Sequence, residues 1–167
     1  MDLGGIFNVK INRMKNCIYR TIIILFALFL TTCSDDINSE KIKTIKYGTS
    51  FGMCVGYCKH EMIVNSKKII FNSSGSRENV ITKTKSESIK NSTWETLNSG
   101  IELKSFFELP VTIGCPDCAD GGAEWLEIEL ENGDTHKVVF EYYIEPELLK
   151  KVIEEFRGLM TENEVVK

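Results

Sequence analysis

The most regular pattern of hydrophobic and polar residues lies in the C-terminal third of the chain. Apolar and acidic residues alternate through 126–130 (LEIEL), and a stretch rich in β-branched and aromatic residues follows at 135–143 (THKVVFEYY). Asn132 and Gly133 lie between the two stretches, and this dipeptide favours the tight turn of a two-residue hairpin. We therefore predict a β-hairpin here.

A helix is predicted directly after this hairpin. Pro146 suits a first helical turn, because the N–H that proline lacks would have no partner there. An apolar stripe at helical spacing follows, formed by Leu149, Val152, Ile153 and Phe156. Gly158 is expected to end the helix, and residues 161–167 are expected to form a frayed tail.

The middle of the chain repeats the same order of elements. Apolar positions in 57–65 and 68–74 predict a first hairpin, and partial alternation in 79–85 predicts a third strand. Apolar residues at roughly helical spacing predict a helix within 86–100. The order hairpin–helix–hairpin–helix predicts an α+β fold, an antiparallel sheet of four to five strands with two helices packed on one face.

The N-terminus has the pattern of a signal peptide, which we assign to residues 1–32. Four basic residues precede an apolar run at 22–30, the order typical of an export signal. Nine helical residues span only about 14 Å, too short to cross a hydrocarbon core of about 30 Å. The choice between Met1 and Met14 as the first residue of the native chain stays open, and MKNCIYR from Met14 is a more usual signal opening than MDLGGIF.

The residues that end the apolar run, Leu30-Thr31-Thr32-Cys33, resemble a bacterial lipobox, which implies that Cys33 is lipidated. Ser34-Asp35-Asp36 resembles the acidic surface-export signal of Bacteroidetes-type lipoproteins. These resemblances imply an outer-membrane lipoprotein, periplasmic or surface-exposed, that contacts the membrane through its N-terminal lipid. We then expect a lipidated polar tether at 33–46 and a single α+β domain at 47–160. An edge strand through Ile42-Lys43-Thr44-Ile45 is the alternative for the last residues of the tether.

The charge balance argues against nucleic acid as a partner. The chain has 20 basic and 24 acidic residues, and residues 1–32 contain four of the former and one of the latter. The mature chain would therefore carry a net charge of about −7, which disfavours contact with a phosphate backbone.

Four cysteines remain outside the signal peptide and the lipidation site: Cys54, Cys58, Cys115 and Cys118. Their even number in an exported chain favours two structural disulfides. The spacing leaves the connectivity open between two neighbouring pairs and two cross pairs. A zinc ion bound by all four thiolates is an alternative cofactor, and otherwise no cofactor is expected. Thiol redox chemistry at Cys115-Pro116-Asp117-Cys118 is a third alternative, although poor helix formers follow this motif.

The segment around the second cysteine pair also contains clustered acids. Asp117, Asp120 and Glu124 could form an acidic binding loop or a calcium site, because hard cations prefer clustered oxygens. A solvated turn is the alternative that we favour. Trp125 follows on the strand face of Glu127 and Glu129, and partial burial is the favoured expectation for its large ring.

Two resemblances to known families add to this interpretation. Phe51-Gly52-Met53-Cys54-Val55-Gly56-Tyr57, followed by hairpin, helix, hairpin and helix, is similar to an uncharacterised bacterial lipoprotein domain family. That family opens with Phe-Gly-x-Cys-Pro-x-Tyr, and Val55 stands at its proline position. The resemblance implies the domain layout and no activity.

The C-terminal half also resembles emfourin, an inhibitor of thermolysin-like metalloproteases. The likeness rests on Phe106-Phe107-Glu108-Leu109-Pro110, an acidic loop, the strand pair at 125–143 and the helix from Pro146. It implies the fold of these segments and, as an alternative function, inhibition of a secreted metalloprotease.

The sequence contains no Gly-rich phosphate loop, nucleophile elbow or metalloprotease helix. We therefore expect a non-catalytic, lipid-anchored extracytoplasmic module that binds an unidentified ligand, with a protein or a protease as its partner.

Overall fold

The computed structural model describes residues 37, 40–75 and 80–163. Its framework is one sheet of seven strands. In chain order these are β1 (Ile42–Ser50), β2 (Tyr57–Val64), β3 (Lys68–Gly75), β4 (Lys83–Ser88), β5 (Thr112–Ile113), β6 (Ala123–Leu130) and β7 (Thr135–Glu141). Across the sheet the order is β4-β3-β2-β1-β6-β7-β5, and all neighbours are antiparallel except β5 and β7, which are parallel. The predicted signal peptide, Cys33 and residues 164–167 lie outside the described residues.

The three α-helices in the described part of the chain pack on one face of this sheet. They are α1 (Asn91–Ser99), α2 (Leu103–Glu108) and α3 (Lys150–Glu162), with short 3-10 turns at Cys118–Asp120 and Glu147–Leu149. Leu97 of α1, Phe106 of α2 and Phe156 of α3 join one hydrophobic core with alternate residues of the strands. Leu126 and Ile128 of β6, for example, are fully buried there, because side chains two apart lie on the same face of a strand.

The α+β class is confirmed, but the sheet is larger than predicted and mixed rather than antiparallel. β5 and α2 were not predicted as elements, and β1 was expected only as an alternative, as a short edge strand. The two residues of β5 and the six of α2 are too few to show a repeating pattern. The segment 86–100, within which a single helix was predicted, contains the end of one strand and a helix. β4 ends at Ser88, and α1 begins at Asn91.

The largest correction concerns the end of the predicted tether. β1 begins at Ile42, within the segment assigned to the tether, and lies at the centre of the sheet between β2 and β6. Ile45 is fully buried in the core. Lys46 lies on the opposite face, where its Nζ is 2.7 Å from Oε1 of Glu127 in β6. Lys43 is paired in the same way with Glu129 of β6, so two of the lysines that made this segment look solvated have carboxylate partners far along the chain.

The C-terminal hairpin is present as predicted, but its turn differs from the predicted two-residue Asn132-Gly133 turn. The N–H of Gly133 donates to the carbonyl of Leu130, so Glu131 and Asn132 form the centre of the turn. Gly133 follows them with a φ of 96°, a left-handed conformation that glycine adopts without cost. The predicted helix end at Gly158 is wrong, because α3 continues to Glu162, into the segment predicted to fray. Gly158 faces open space, so no packing contact stops the helix there.

Trp125 packs flat against β1 on the face that carries no helix. It is 4% exposed and is paired in register with Gly48. A Cβ on Gly48 would lie 2.6 Å from Cε2 of Trp125 and 2.7 Å from the carbonyl oxygen of His60. Lys137 Nζ lies 4.7 Å from the centre of the indole, so the exposed side of the ring is covered by a cation.

We predict that Gly48→Ala lowers the free energy of unfolding by about 1–3 kcal/mol, because the added methyl overlaps the Trp125 ring and a backbone carbonyl. Gly158→Ala is the control, since its methyl meets no atom and a helical alanine should stabilise by about 0.5–1 kcal/mol. Urea denaturation measures both. Equal stability of the two variants would contradict the packing of Trp125 on Gly48.

Candidate functional site

The loops at one end of the sheet form the candidate site. Ser50, the last residue of β1, is paired with Lys59 in β2 and with Ala123 in β6. Ala123 is in turn paired with Glu141 in β7. The connecting segments at 51–56, 80–81, 114–122 and 142–144 therefore lie at the same end, which we call the loop end.

The four cysteines form two disulfide-compatible pairs in this loop end. Cys54 pairs with Cys58 and Cys115 with Cys118, at Cα–Cα distances of 5.6 and 5.5 Å, within the range of about 4.4–6.8 Å that disulfides adopt. The structure thus joins sequence neighbours rather than the cross pairs that the sequence left open. Each pair closes a very small loop.

Asp117 connects the two cysteine loops. Its Oδ1 accepts a hydrogen bond of 3.2 Å from the backbone N–H of Gly52, and its own N–H donates to the carbonyl of Gly122 at 2.9 Å. The Asp117 carboxylate is therefore used to hold the two loops side by side. Asp120 is exposed on the same loop.

Glu124 does not share this surface, which corrects the expectation of a three-acid binding loop. It is the second residue of β6, and its side chain is fully buried on the helix face. The acidic loop therefore reduces to Asp117 and Asp120. Strand alternation explains the separation, because Trp125 takes the open face and sends Glu124 to the other side.

Arg157 of α3 binds the buried Glu124 carboxylate. Its Nε and Nη2 donate to the two carboxylate oxygens at 2.9 and 2.6 Å, and Nη2 also lies 2.6 Å from Oε2 of Glu145. The hydroxyl of Tyr47 donates to Glu124 as well, and the N–H of Tyr143 completes the set at 3.0 Å. One guanidinium thus serves two carboxylates, which leaves one net negative charge when all three groups are ionised.

The electrostatics of this cluster shift several pKa values. The hydrogen bond from Arg157 holds the pKa of Glu145 below its ordinary value. Burial, reinforced by the Glu124 carboxylate, raises the pKa of Tyr47 well above its ordinary value. Burial and the neighbouring Tyr143 raise the pKa of Tyr142 to about 12. Both phenols therefore stay protonated at physiological pH.

A cavity of about 210 Å³ opens beside this network. Its walls include four aromatic side chains and the guanidinium of Arg157; the aromatic ones are Tyr47, Phe51, Tyr142 and Tyr143. The rings of Phe51 and Tyr142 meet edge to face at 4.8 Å between centroids, and those of Tyr142 and Tyr143 at 4.5 Å. Thr49, His60, Met160 and Thr161 complete the lining.

The network also holds Tyr143 in an unfavourable backbone conformation. Its φ is 63°, a left-handed value that costs a bulky residue about 1–3 kcal/mol. The hydrogen bond from its N–H to Glu124 and the Arg157 guanidinium 4.2 Å above its ring retain it there. The Tyr143 side chain is left 63% exposed, so the buried ion pair positions an aromatic ring at the surface.

Exposed apolar side chains are concentrated at the loop end. Those with the highest exposed fractions there are Met53 (81%), Val55 (87%), Ile81 (83%), Tyr143 (63%) and Ile144 (62%). Exposed apolar side chains that gather in one region of a surface mark candidate contact sites for another molecule.

A larger cavity, of about 670 Å³, lies at the other end of the sheet. Ile42, Trp94 and Leu103 line it together with Glu102 and Glu131. The carboxylate of Glu102 caps α2 by accepting from the N–H of Ser105 at 2.8 Å, so a structural role accounts for it. We therefore place the candidate site at the loop end.

Within 37, 40–75 and 80–163, no three His, Cys, Asp or Glu side chains converge in a group that could hold a metal ion. No helix in this part of the chain has the length and apolar character of a membrane span.

Comparison with models of known protein families gave no match, and comparison with curated proteins gave none. The interpretation of the loop end therefore rests on its own residues. Sequence reasoning identified the cysteines, but it missed Arg157, Glu145 and Tyr143. The only link between Arg157 and Glu124 is spatial, since 33 residues separate them.

We predict that the protein purified from an oxidising compartment is about four hydrogens lighter than its reduced form, because both cysteine pairs are joined. Digestion without reduction should yield fragments linked 54–58 and 115–118. Native mass spectrometry is the control. A bound zinc with four thiols that react with an alkylating reagent after denaturation would contradict the paired arrangement and support the tetrathiolate alternative.

Arg157→Met should lower the free energy of unfolding by about 3–5 kcal/mol, because it leaves Glu124 charged and buried without a counter-ion. Lys46→Met is the matched control: its partner Glu127 is half-exposed, so a loss of about 0–1 kcal/mol is expected. Glu124→Gln in the Arg157→Met background should recover part of the loss. Additive effects of the two substitutions would contradict the ion pair.

Acid sensitivity provides a second readout of the same cluster. The folded pKa of Glu145 is depressed, so its stabilising effect is present above the unfolded pKa and lost as pH falls through the folded pKa. Stability of the wild-type chain should therefore decline below about pH 4.5 more steeply than that of Arg157→Met.

Proposed function

We propose that the protein is a non-catalytic binding module, anchored to the outer membrane through a lipid on Cys33, that contacts a protein partner through its loop end. One observation carries the proposal. Five strongly exposed apolar side chains lie at the end of the sheet where two cysteine pairs and a buried ion pair hold the backbone. A surface that is rigid before binding loses less conformational entropy on association.

The direction of β1 supports this arrangement. The chain enters the sheet at Ile42 and reaches the loop end after Ser50, nine residues later. At about 3.3 Å per residue, roughly 30 Å separate these two points. The described chain therefore enters the sheet at the end opposite the loop end, where Met53 and Val55 are exposed.

The chemistry of the loop end suits binding better than catalysis. The carboxylates of Glu124 and Glu145 and the guanidinium of Arg157 bind one another, so each group already has its partner. His60 is engaged as well, with ring nitrogens 3.1 Å from the hydroxyl of Ser73 and from the carbonyl of Tyr57. We call the four rings that line the cavity, Tyr47, Phe51, Tyr142 and Tyr143, the aromatic wall. The polar groups stabilise this wall through contacts within the protein.

Inhibition of a secreted metalloprotease is the second candidate function. The Cys54–Cys58 pair constrains a short loop that exposes Met53 and Val55, and a constrained loop with apolar side chains can occupy a protease cleft without being ordered on binding. Titration of a thermolysin-like protease with the purified protein tests this function. Stoichiometric loss of activity that Val55→Asp abolishes would support it, and full activity at excess protein would reject it.

We predict that a photoreactive residue at position 55 crosslinks a partner protein on intact cells, because Val55 is 87% exposed on the proposed surface. The control is the same residue at position 132, in the exposed hairpin turn at the other end of the sheet. A discrete crosslinked product from position 55 alone is expected. Identical products from both positions, or none from either, would contradict a loop-end binding surface.

The anchor is tested separately. Cys33→Ala should release the chain from the membrane fraction, and mass spectrometry of the wild-type N-terminal peptide should show a diacylglycerol thioether on Cys33. An unmodified Cys33 would remove the anchor from the proposal while leaving the crosslinking result to decide the binding surface.

A further inference from the structure

The two cysteine pairs of the loop end differ in their access to solvent. Cys115 and Cys118 are both exposed. Cys58 is 2% exposed within β2, and Cys54 is half-buried. Thiol–disulfide exchange requires a thiolate to reach a sulfur atom of the disulfide. The 115–118 pair is therefore open to attack at both cysteines, whereas in the 54–58 pair Cys58 is buried and Cys54 is only partly accessible.

The backbone around the exposed pair is held in an unfavourable conformation. Asp117, Ala119 and Asp120 have φ values of 60°, 52° and 59°, in the left-handed region that costs residues with a Cβ. In the 51–58 segment the positive φ falls on Gly56, which adopts it without that cost. Opening the Cys115–Cys118 pair therefore lets three residues return to favoured conformations. Opening the Cys54–Cys58 pair brings no such gain.

We infer that Cys115–Cys118 is a thiol-exchange site that a dithiol reduces while Cys54–Cys58 stays intact, and that this reduction releases the 114–122 loop from the 51–56 loop. One thiolate of the dithiol attacks a sulfur of the pair. The S–S bond breaks, a mixed disulfide forms, and the other cysteine leaves as a thiolate that takes up a proton.

The second thiol of the dithiol then attacks the mixed disulfide and frees the remaining cysteine. The protein gains two electrons and two protons in total, and the dithiol becomes a disulfide. Electrons and protons balance over the two steps, and neither a metal nor another cofactor is needed.

Release of the loop has a direct route to its neighbours. Asp117 accepts the hydrogen bond from Gly52 in the other cysteine loop, and Gly122 accepts from the N–H of Tyr142 at 3.3 Å. Loss of the 115–118 cross-link frees both contacts, so the redox state of one pair alters the 51–56 loop and the aromatic wall. This inference holds whatever partner the loop end binds.

The test is a redox titration of the purified, oxidised protein in buffers of reduced and oxidised dithiothreitol. Free thiols are trapped by alkylation, and each pair is quantified by mass spectrometry of its own peptides. We expect Cys115–Cys118 to reach half-reduction at a dithiol ratio about tenfold lower than Cys54–Cys58. The second pair is the internal control. Simultaneous reduction, or reduction of Cys54–Cys58 first, would overturn the inference.

A pair of double variants tests the release. Cys115→Ser with Cys118→Ser should keep the circular dichroism of the folded chain, while amide hydrogen exchange in 51–56 accelerates about tenfold, because the Gly52 contact is lost. Cys54→Ser with Cys58→Ser should instead lower the unfolding midpoint. Unfolding of the 115/118 variant would show that the pair is a structural cross-link, and unchanged exchange in 51–56 would show that opening the pair does not release the loop. Either result would overturn the inference.

Discussion

The loop end depends on one buried ion pair, Arg157 with Glu124. A carboxylate at the start of β6 faces the core, where burial without a counter-ion would cost several kcal/mol. The guanidinium of Arg157 reaches it from α3 with two hydrogen bonds and still contacts Glu145. This contact joins three parts of the structure. Arg157 belongs to α3, and the segment after β7 contributes the N–H of Tyr143 and the carboxylate of Glu145.

The same ion pair contacts both the hydrophobic core and the exposed surface of the loop end. On the core side, Tyr47 stacks on Phe156 at 5.2 Å and donates to Glu124, so the ion pair continues into the hydrophobic core. On the solvent side, Arg157 covers Tyr143 and forms part of the aromatic cavity. A charge placed for stability thus also fixes the geometry of an exposed surface, and this connection links the fold to the binding role that we propose.

The cysteine pairs add a second level of control to the same end. Asp117 connects the two small loops by accepting a hydrogen bond from Gly52. This structural contact explains the acidic residue inside the C-x-x-C motif, and no role as a metal ligand or catalytic group is needed. The difference in exposure between Cys118 and Cys58 assigns the two pairs different roles. Cys54–Cys58 closes a loop beside the sheet. Cys115–Cys118 closes a solvent-exposed loop that, in our proposal, thiol exchange opens.

The sequence by itself determined the elements whose signals are local. The hairpin through Asn132-Gly133 and the apolar stripe that includes Phe156 could be predicted because alternation, helical spacing and turn chemistry act over a few residues. The tertiary structure alone decided the role of Lys46, which looked like part of a solvated tether until Glu127 paired with it across β1 and β6. It also decided the fate of Glu124, because a buried charge is tolerated only where a distant guanidinium reaches it, and no local pattern records a contact made across the core.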